Sequence, residues 1–125
     1  MAKIVLGIVI QENKILLIRR KKADKSLVWA FPGGKIEAEE TPKDAVIREI
    51  MEETGVRTHV LKHLGSRTHP QTNKEISYFL CNCVFQINRM AEDEVAEIKW
   101  CRKNEVLSLL STDIFPPVKK WIDLL

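Results

Sequence analysis

Apolar runs of strand length open the chain. "KIVLGIVI" (residues 3–10) and "KILLIRR" (14–20) flank the polar turn "ENK", which predicts a β-hairpin. "KKADKSLV" (21–28) reads as a polar loop, and "WAFPGG" (29–34) as a short extended stretch turning at Pro32-Gly33-Gly34. The period then changes. Ile47, Ile50, Met51 and Thr54 group on one side of a helix, and Glu49, Glu52 and Glu53 are expected on the opposite side. Thr41 is its cap, Pro42 its first residue, Asp44 its first-turn acid and Gly55 its stop. Strand patterns return over 56–69, with Pro70 beginning a connection, and over 75–87 and 95–101. The stretch "RMAEDE" (89–94) is an acidic loop, and helices are expected over 104–110 and from Pro116 to the end. Strands dominate, with one helix early and others late, which predicts an α+β sandwich around one sheet system.

At 125 residues the chain fits one domain, taken as 1–125. Its 45% hydrophobic and 30% charged content is that of a soluble globular protein, and no apolar run approaches the roughly 20 residues of a membrane span. The N-terminal apolar stretch reads as a first strand rather than a signal peptide, because a turn and a second strand follow it. Cys81, Cys83 and Cys101 make an odd count without zinc spacing, which suits a reducing, cytoplasmic compartment. Cys81 and Cys83 would share one strand face as packing residues.

The net charge of +3 conceals two opposed blocks. Lys14, Arg19, Arg20, Lys21, Lys22 and Lys25 make residues 14–25 basic, whereas seven acids against two bases make residues 37–53 acidic. Bordering one cleft, such blocks could hold a cation on one wall and an anion on the other. Two solvated faces are the usual outcome of charge runs.

Residues three and four apart on a helix are neighbours, so Glu49, Glu52 and Glu53 can converge on one site. Crowded carboxylates repel one another, and their hard oxygens suit Mg²⁺, with Mn²⁺ as a substitute. The full stretch "GGKIEAEETPKDAVIREIMEETGV" resembles the Nudix box at every specified position: Gly34, Glu40, Arg48, Glu49, Ile50, Glu52, Glu53, Gly55 and Val56. A chance match in such a chain has odds on the order of 10⁻⁸. The preceding "WAFPGG", the basic second strand and "FPP" at 115–117 are similar to the small MutT-like branch of that family.

The resemblance implies an α/β/α Nudix fold with a mixed β-sheet and a catalytic loop-helix-loop. It also implies that the Gly33 carbonyl joins Glu49, Glu52 and Glu53 as a metal ligand, and that Arg48 orients a glutamate. Glu40 would shape the loop and helix. The water-activating acid is Glu49 in some members and a later loop acid in others; Glu92, Asp93, Glu94 and Glu97 are the candidates here. Glu94 is favoured by its separation from Trp100. On the substrate side Arg20, rather than Arg19, aligns with a phosphate-contacting arginine, since neighbours on a strand face opposite ways. Lys35 and Arg67 are further substrate contacts, with His69 beside them; His59 and His63 read as structural or surface residues.

The expected activity is that of a nucleoside diphosphate-X pyrophosphohydrolase, a monomer or homodimer that hydrolyses a nucleoside triphosphate, oxidised or damaged ones included, to monophosphate and pyrophosphate. Two departures weigh against oxidised guanine. Val118 and Lys119 follow Phe115-Pro116-Pro117 where that branch often has Asn or Asp, and the stacking aromatics are open among Trp29, Phe79, Phe85 and Trp121. The alternative substrate is ADP-ribose or a nucleotide sugar, whose enzymes carry a proline past the box; Pro70 stands near that place, out of register. A non-hydrolytic nucleotide sensor would typically have lost box glutamates, and all are present. Nucleic acid is a poor fit without aromatic residues interleaved in the basic stretch.

Overall fold

A computed structural model describes residues 3–22, 24–70, 72–87, 94–110 and 114–125. The hairpin forms where expected, from β1 (Lys3–Gln11) and β2 (Lys14–Lys21), with Glu12 and Asn13 both at positive φ as a tight two-residue turn requires. It pairs at its closed end, Ile10 with Ile15 and Gln11 with Lys14. Beyond that the strands part. β3 (Leu27–Ala30) pairs with the end of β2, and β4 (Gly33–Lys35) with the start of β1, so residues 27–35 fill the opening between them.

Two expectations are corrected here. Leu27 and Val28 belong to a strand rather than to the polar loop, and Gly33-Gly34 run in a strand rather than a turn. The cause is the parted hairpin, whose two inner edges would otherwise expose unpaired N–H and C=O groups.

The outer edges are filled by more distant segments. β1 lies parallel to β6 (Glu75–Gln86), which pairs antiparallel with β5 (Val56–Thr68), and β2 pairs antiparallel with β7 (Val95–Cys101). Seven strands among the described residues thus join one mixed sheet, with the order β3-β2-β1-β6-β5 along its main path.

Alternation along the strands builds a core on each face. Val5, Val9, Leu16, Phe79 and Cys81 pack with Ala45, Val46 and Ile50 of α1 (Pro42–Thr54). Ile8, Ile15, Leu17, Tyr78 and Leu80 pack on the other face with Val106 of α2 (Lys103–Leu109) and with Val118 and Ile122 of α3 (Pro116–Asp123). The result is the expected α/β/α arrangement, and no helix among the described residues is long and apolar enough to cross a membrane. Cys81 is buried on the α1 face, where burial pushes its thiol up to about 12, as suits a packing residue.

The limits of α1 follow its end signals. Thr41 Oγ1 accepts from the Asp44 N–H at 3.1 Å, and Gly55 takes φ 75° while its N–H reaches the Met51 carbonyl at 2.9 Å. The acids do not all oppose the core, however. Counting from buried Ile50, Glu53 stands only roughly 60° around the helix, Glu49 roughly 100° and Glu52 roughly 160°. Glu53 is accordingly buried, Glu49 intermediate and Glu52 exposed.

Ile50→Ala should lower the unfolding free energy by about 2–5 kcal/mol and Gly55→Ala by about 1 kcal/mol, as read by urea melts. Equal losses would contradict this division between a core anchor and a helix stop.

Candidate active site

The opening in the hairpin is where the acidic helix meets the sheet. A Cβ on Gly33 would stand 2.0 Å from the Val5 carbonyl oxygen, and one on Gly34 would stand 2.5 Å from the Glu49 carboxyl carbon. Only glycines let this strand lie against β1 while the carboxylate of Glu49 lies against its backbone. Glu53 is tied to the same strand, its Oε1 accepting from the Gly33 N–H at 2.8 Å.

Arg20 closes this corner from β2. Its Nη2 donates to Glu53 Oε2 at 2.5 Å and to the Gly33 carbonyl at 3.2 Å, and its Nη1 stands 3.8 Å from Glu94 Oε2. Glu94 is set there by its own carbonyl, which accepts from the Lys21 N–H at 2.9 Å. The register of β2 on β7 shifts between Arg19 and Arg20. Arg19 lies by Glu97 at 3.8 Å and over the Trp29 ring, which leaves Arg20 as the arginine of the site. The basic and acidic blocks therefore meet through Arg20, while Lys21, Lys22 and Lys25 are exposed.

Arg48 does the corresponding work on the outer side. Its Nε and Nη2 donate to the two oxygens of Glu40 at 2.7 and 3.0 Å, a bidentate pair, and Nη2 also reaches the Lys35 carbonyl at 3.2 Å. Its Nη1 donates to Glu49 at 3.0 Å and to Glu52 at 3.2 Å. Glu40 also accepts from the Glu37 N–H, so this one guanidinium fastens the loop before the helix to the helix itself. The Arg48 bond holds the Glu40 carboxyl below its ordinary pKa. Burial pushes Glu49 and Glu53 above theirs, opposed chiefly by Arg48 for the first and Arg20 for the second.

Glu49, Glu53, Gly33, Arg20 and Glu94 are thus brought together. Glu52 lies to the solvent side on Arg48, and among the described residues no three His, Cys, Asp or Glu side chains form a group that could hold a metal ion unaided. The donors still suit a divalent ion: they are hard oxygens, and the Gly33 carbonyl adds another. Six carboxylates, those of Glu37, Glu40, Glu49, Glu52, Glu53 and Glu94, pair with two guanidiniums, Arg20 and Arg48, an acidic excess that favours a cation. Lys35 is exposed, and its carbonyl accepts from Arg48. Glu97 is occupied on Arg19, and Glu92 and Asp93 lie outside the described residues.

Beside Arg20 and Gly33 opens a cavity of about 430 Å³, walled by Trp29, Phe31, Tyr78 and Phe115. Tyr78 and Phe115 stack at 4.9 Å between centroids. Arg67 lies over Phe115 at 5.2 Å and donates to the Tyr78 hydroxyl at 3.3 Å, and His69 is a further lining residue. Of the four aromatics singled out in the sequence only Trp29 reaches this cavity. Phe79 packs under α1, Phe85 is exposed, and Trp121 lies under Lys62. Tyr78 was findable as the strand neighbour of Phe79, facing the other way, and Phe115 as the residue opening the proline-started helix. Val118 is core and Lys119 pairs with Asp123 at the surface, and neither position after Phe115-Pro116-Pro117 lines this cavity.

A family model described as NUDIX domain matches residues 1–125. An ADP-ribose pyrophosphatase of Methanocaldococcus jannaschii is 47% identical over 64 residues, 51% of this chain and 38% of that protein, so the match spans well under half of that relative's length. A CTP pyrophosphohydrolase of Escherichia coli is 28% identical over 86% of this chain and 80% of its own. Among solved structures, a NUDIX hydrolase from Nitrosomonas europaea superposes with a TM-score of 0.81 at 21% identity, covering 98% of this chain and 86% of that one.

Arg48→Lys should cost about 1–3 kcal/mol in a urea melt despite the retained charge, because a single ammonium cannot reproduce the bidentate grip on Glu40 together with the reach to Lys35. A variant as stable as the parent would show that this clamp does not hold the loop.

Proposed function

The chain belongs to the Nudix hydrolase family, which acts on nucleoside diphosphate-linked moieties and generally needs a divalent metal ion, and within it we propose that this protein hydrolyses nucleoside triphosphates to monophosphate and pyrophosphate with Mg²⁺. One observation carries this reading: two carboxylates lie against a glycine backbone, with an arginine between them and an aromatic cavity of about 430 Å³. The cavity falls in the usual range for a small-molecule site and offers ring faces to a base.

Glu49, Glu53 and the Gly33 carbonyl are the ligands, with Glu52 completing the set from the solvent side and Arg48 holding Glu49 and Glu52 in place. A divalent cation at such donors neutralises charge on the bridging phosphates and lowers the pKa of water. Arg20 and Lys35 meet the phosphates, and Arg67 contacts the nucleoside end. Water attacks a phosphorus, its bond to a bridging oxygen breaks, and monophosphate and pyrophosphate separate; the water's proton passes to a carboxylate. Glu94 is proposed for that proton, being exposed at the mouth of the site beside Arg20 and outside the ligand set.

The E. coli relative supports a triphosphate substrate, since it matches over most of both chains and its name specifies CTP. A second reading, ADP-ribose, has the 47% identical stretch in its favour.

Products separated by chromatography after incubation with Mg²⁺ decide between them. Monophosphate and pyrophosphate from triphosphates, with turnover lowered at least about 100-fold in Glu53→Gln, are expected. AMP and ribose 5-phosphate from ADP-ribose, with triphosphates untouched, would replace the first reading by the second.

A further inference from the structure

We propose that the aromatic cavity selects a base by its exocyclic oxygen, taking a keto base in preference to the amino base of the same ring: uracil over cytosine, and hypoxanthine over adenine. The inference rests on the reading of this cavity as the place of the base. Its lining is rich in hydrogen-bond donors. Arg67 of β5, Tyr78 of β6, Lys74 between them and Trp29 of β3 all line it. Arginine, lysine and tryptophan side chains carry N–H donors and no acceptor.

A tyrosine can do either, and its neighbour decides. Arg67 Nε donates to the Tyr78 hydroxyl oxygen at 3.3 Å, so the hydroxyl accepts there and keeps its own proton to give. Tyr78 is only 4% exposed, and nothing among the described residues accepts that proton. The other lining side chains able to accept are engaged. His69 Nδ1 takes the Thr72 N–H at 3.3 Å, and Thr72 Oγ1 takes the Lys74 N–H at 3.5 Å. Among the described residues no Asp, Glu, Asn or Gln lines the cavity.

A buried donor left without a partner costs free energy until an acceptor arrives. A keto oxygen is that acceptor, and its partial negative charge suits the guanidinium and ammonium beside the hydroxyl. An amino group would set N–H against O–H and leave both unsatisfied. Uracil and cytosine share one outline, so shape cannot separate them and this lining can. The exchange also turns the adjacent ring nitrogen from acceptor into donor, but the exocyclic atom projects farther and meets the wall first. The reaction class that makes keto bases from amino bases is hydrolytic deamination, in which water's oxygen replaces the amino nitrogen and ammonia leaves.

The test compares kcat/KM for UTP against CTP, and for inosine triphosphate against ATP, in the parent, Tyr78→Phe and Lys74→Met with Mg²⁺. Calorimetric titration with the α,β-methylene analogues of UTP and CTP reads binding without turnover. The keto member of each pair should lead by about tenfold or more in the parent, the effect of leaving one buried donor unsatisfied. In each variant that ratio should shrink by about threefold or more. A merely structural change would lower both members of a pair together and leave their ratio alone; Lys74 is exposed, so its replacement spares the core. Equal or inverted preference in the parent, or a ratio unmoved in both variants, would overturn the selection while triphosphate hydrolysis stands. Tighter binding of the uracil analogue with no triphosphate turned over would support the selection and overturn the hydrolysis reading instead. Binding of neither analogue would remove the cavity as the place of the base, and the proposal with it.

Discussion

A carboxylate buried against backbone must be matched by positive charge, and this molecule is organised around that requirement at Glu53. Its two oxygens are divided between the Gly33 N–H and the Arg20 guanidinium, so three segments distant in sequence meet on one side chain. The pair is not there chiefly for stability, because charges withdrawn from water repay little beyond what their own desolvation costs. Its effect is positional. It ties strand β4 to helix α1 and joins the end of strand β2 to the same point.

The parted hairpin makes that arrangement possible. Had β1 and β2 stayed paired along their length, Arg20 would lie at the far end of a closed ladder and the acidic helix would face a continuous sheet. Parting after two residue pairs lets residues 27–35 enter the gap, and brings glycine backbone to the helix where side chains would exclude the carboxylates. The second, outer guanidinium then ties the loop down. Arg48 spans Glu40, Glu49 and Glu52, so the helix and the loop before it carry the acids as one body.

Local signals and the box made much of this legible in advance. The hairpin, the helix from Pro42 to Thr54 with both its ends, and the later strands follow from period and punctuation, because each is decided by nearby residues. What escaped depends on partners far along the chain. Leu27-Val28 looks like the end of a polar loop, since nothing near it announces that β2 will lack a neighbour there. The burial of Glu53 was hidden by treating three acids as one face, when their angular spread runs from core rim to solvent. Tyr78 comes from β6 and Phe115 from the cap of α3, and they become a wall only after the sheet and α3 have docked.

The same contrast separates the two halves of the site. The acidic half is written into one contiguous segment, because helical spacing and a single clamp suffice to assemble it. The aromatic half is collected from β3, β6 and the start of α3, and each contributor also belongs to the core or its border. Changing the cavity's shape therefore means repacking one face of the sheet, whereas changing the acids means altering one helix face. A family that keeps its chemistry while varying its substrates would be expected to hold the contiguous half constant and draw its variety from the dispersed half, and the physical division in this molecule runs along that line.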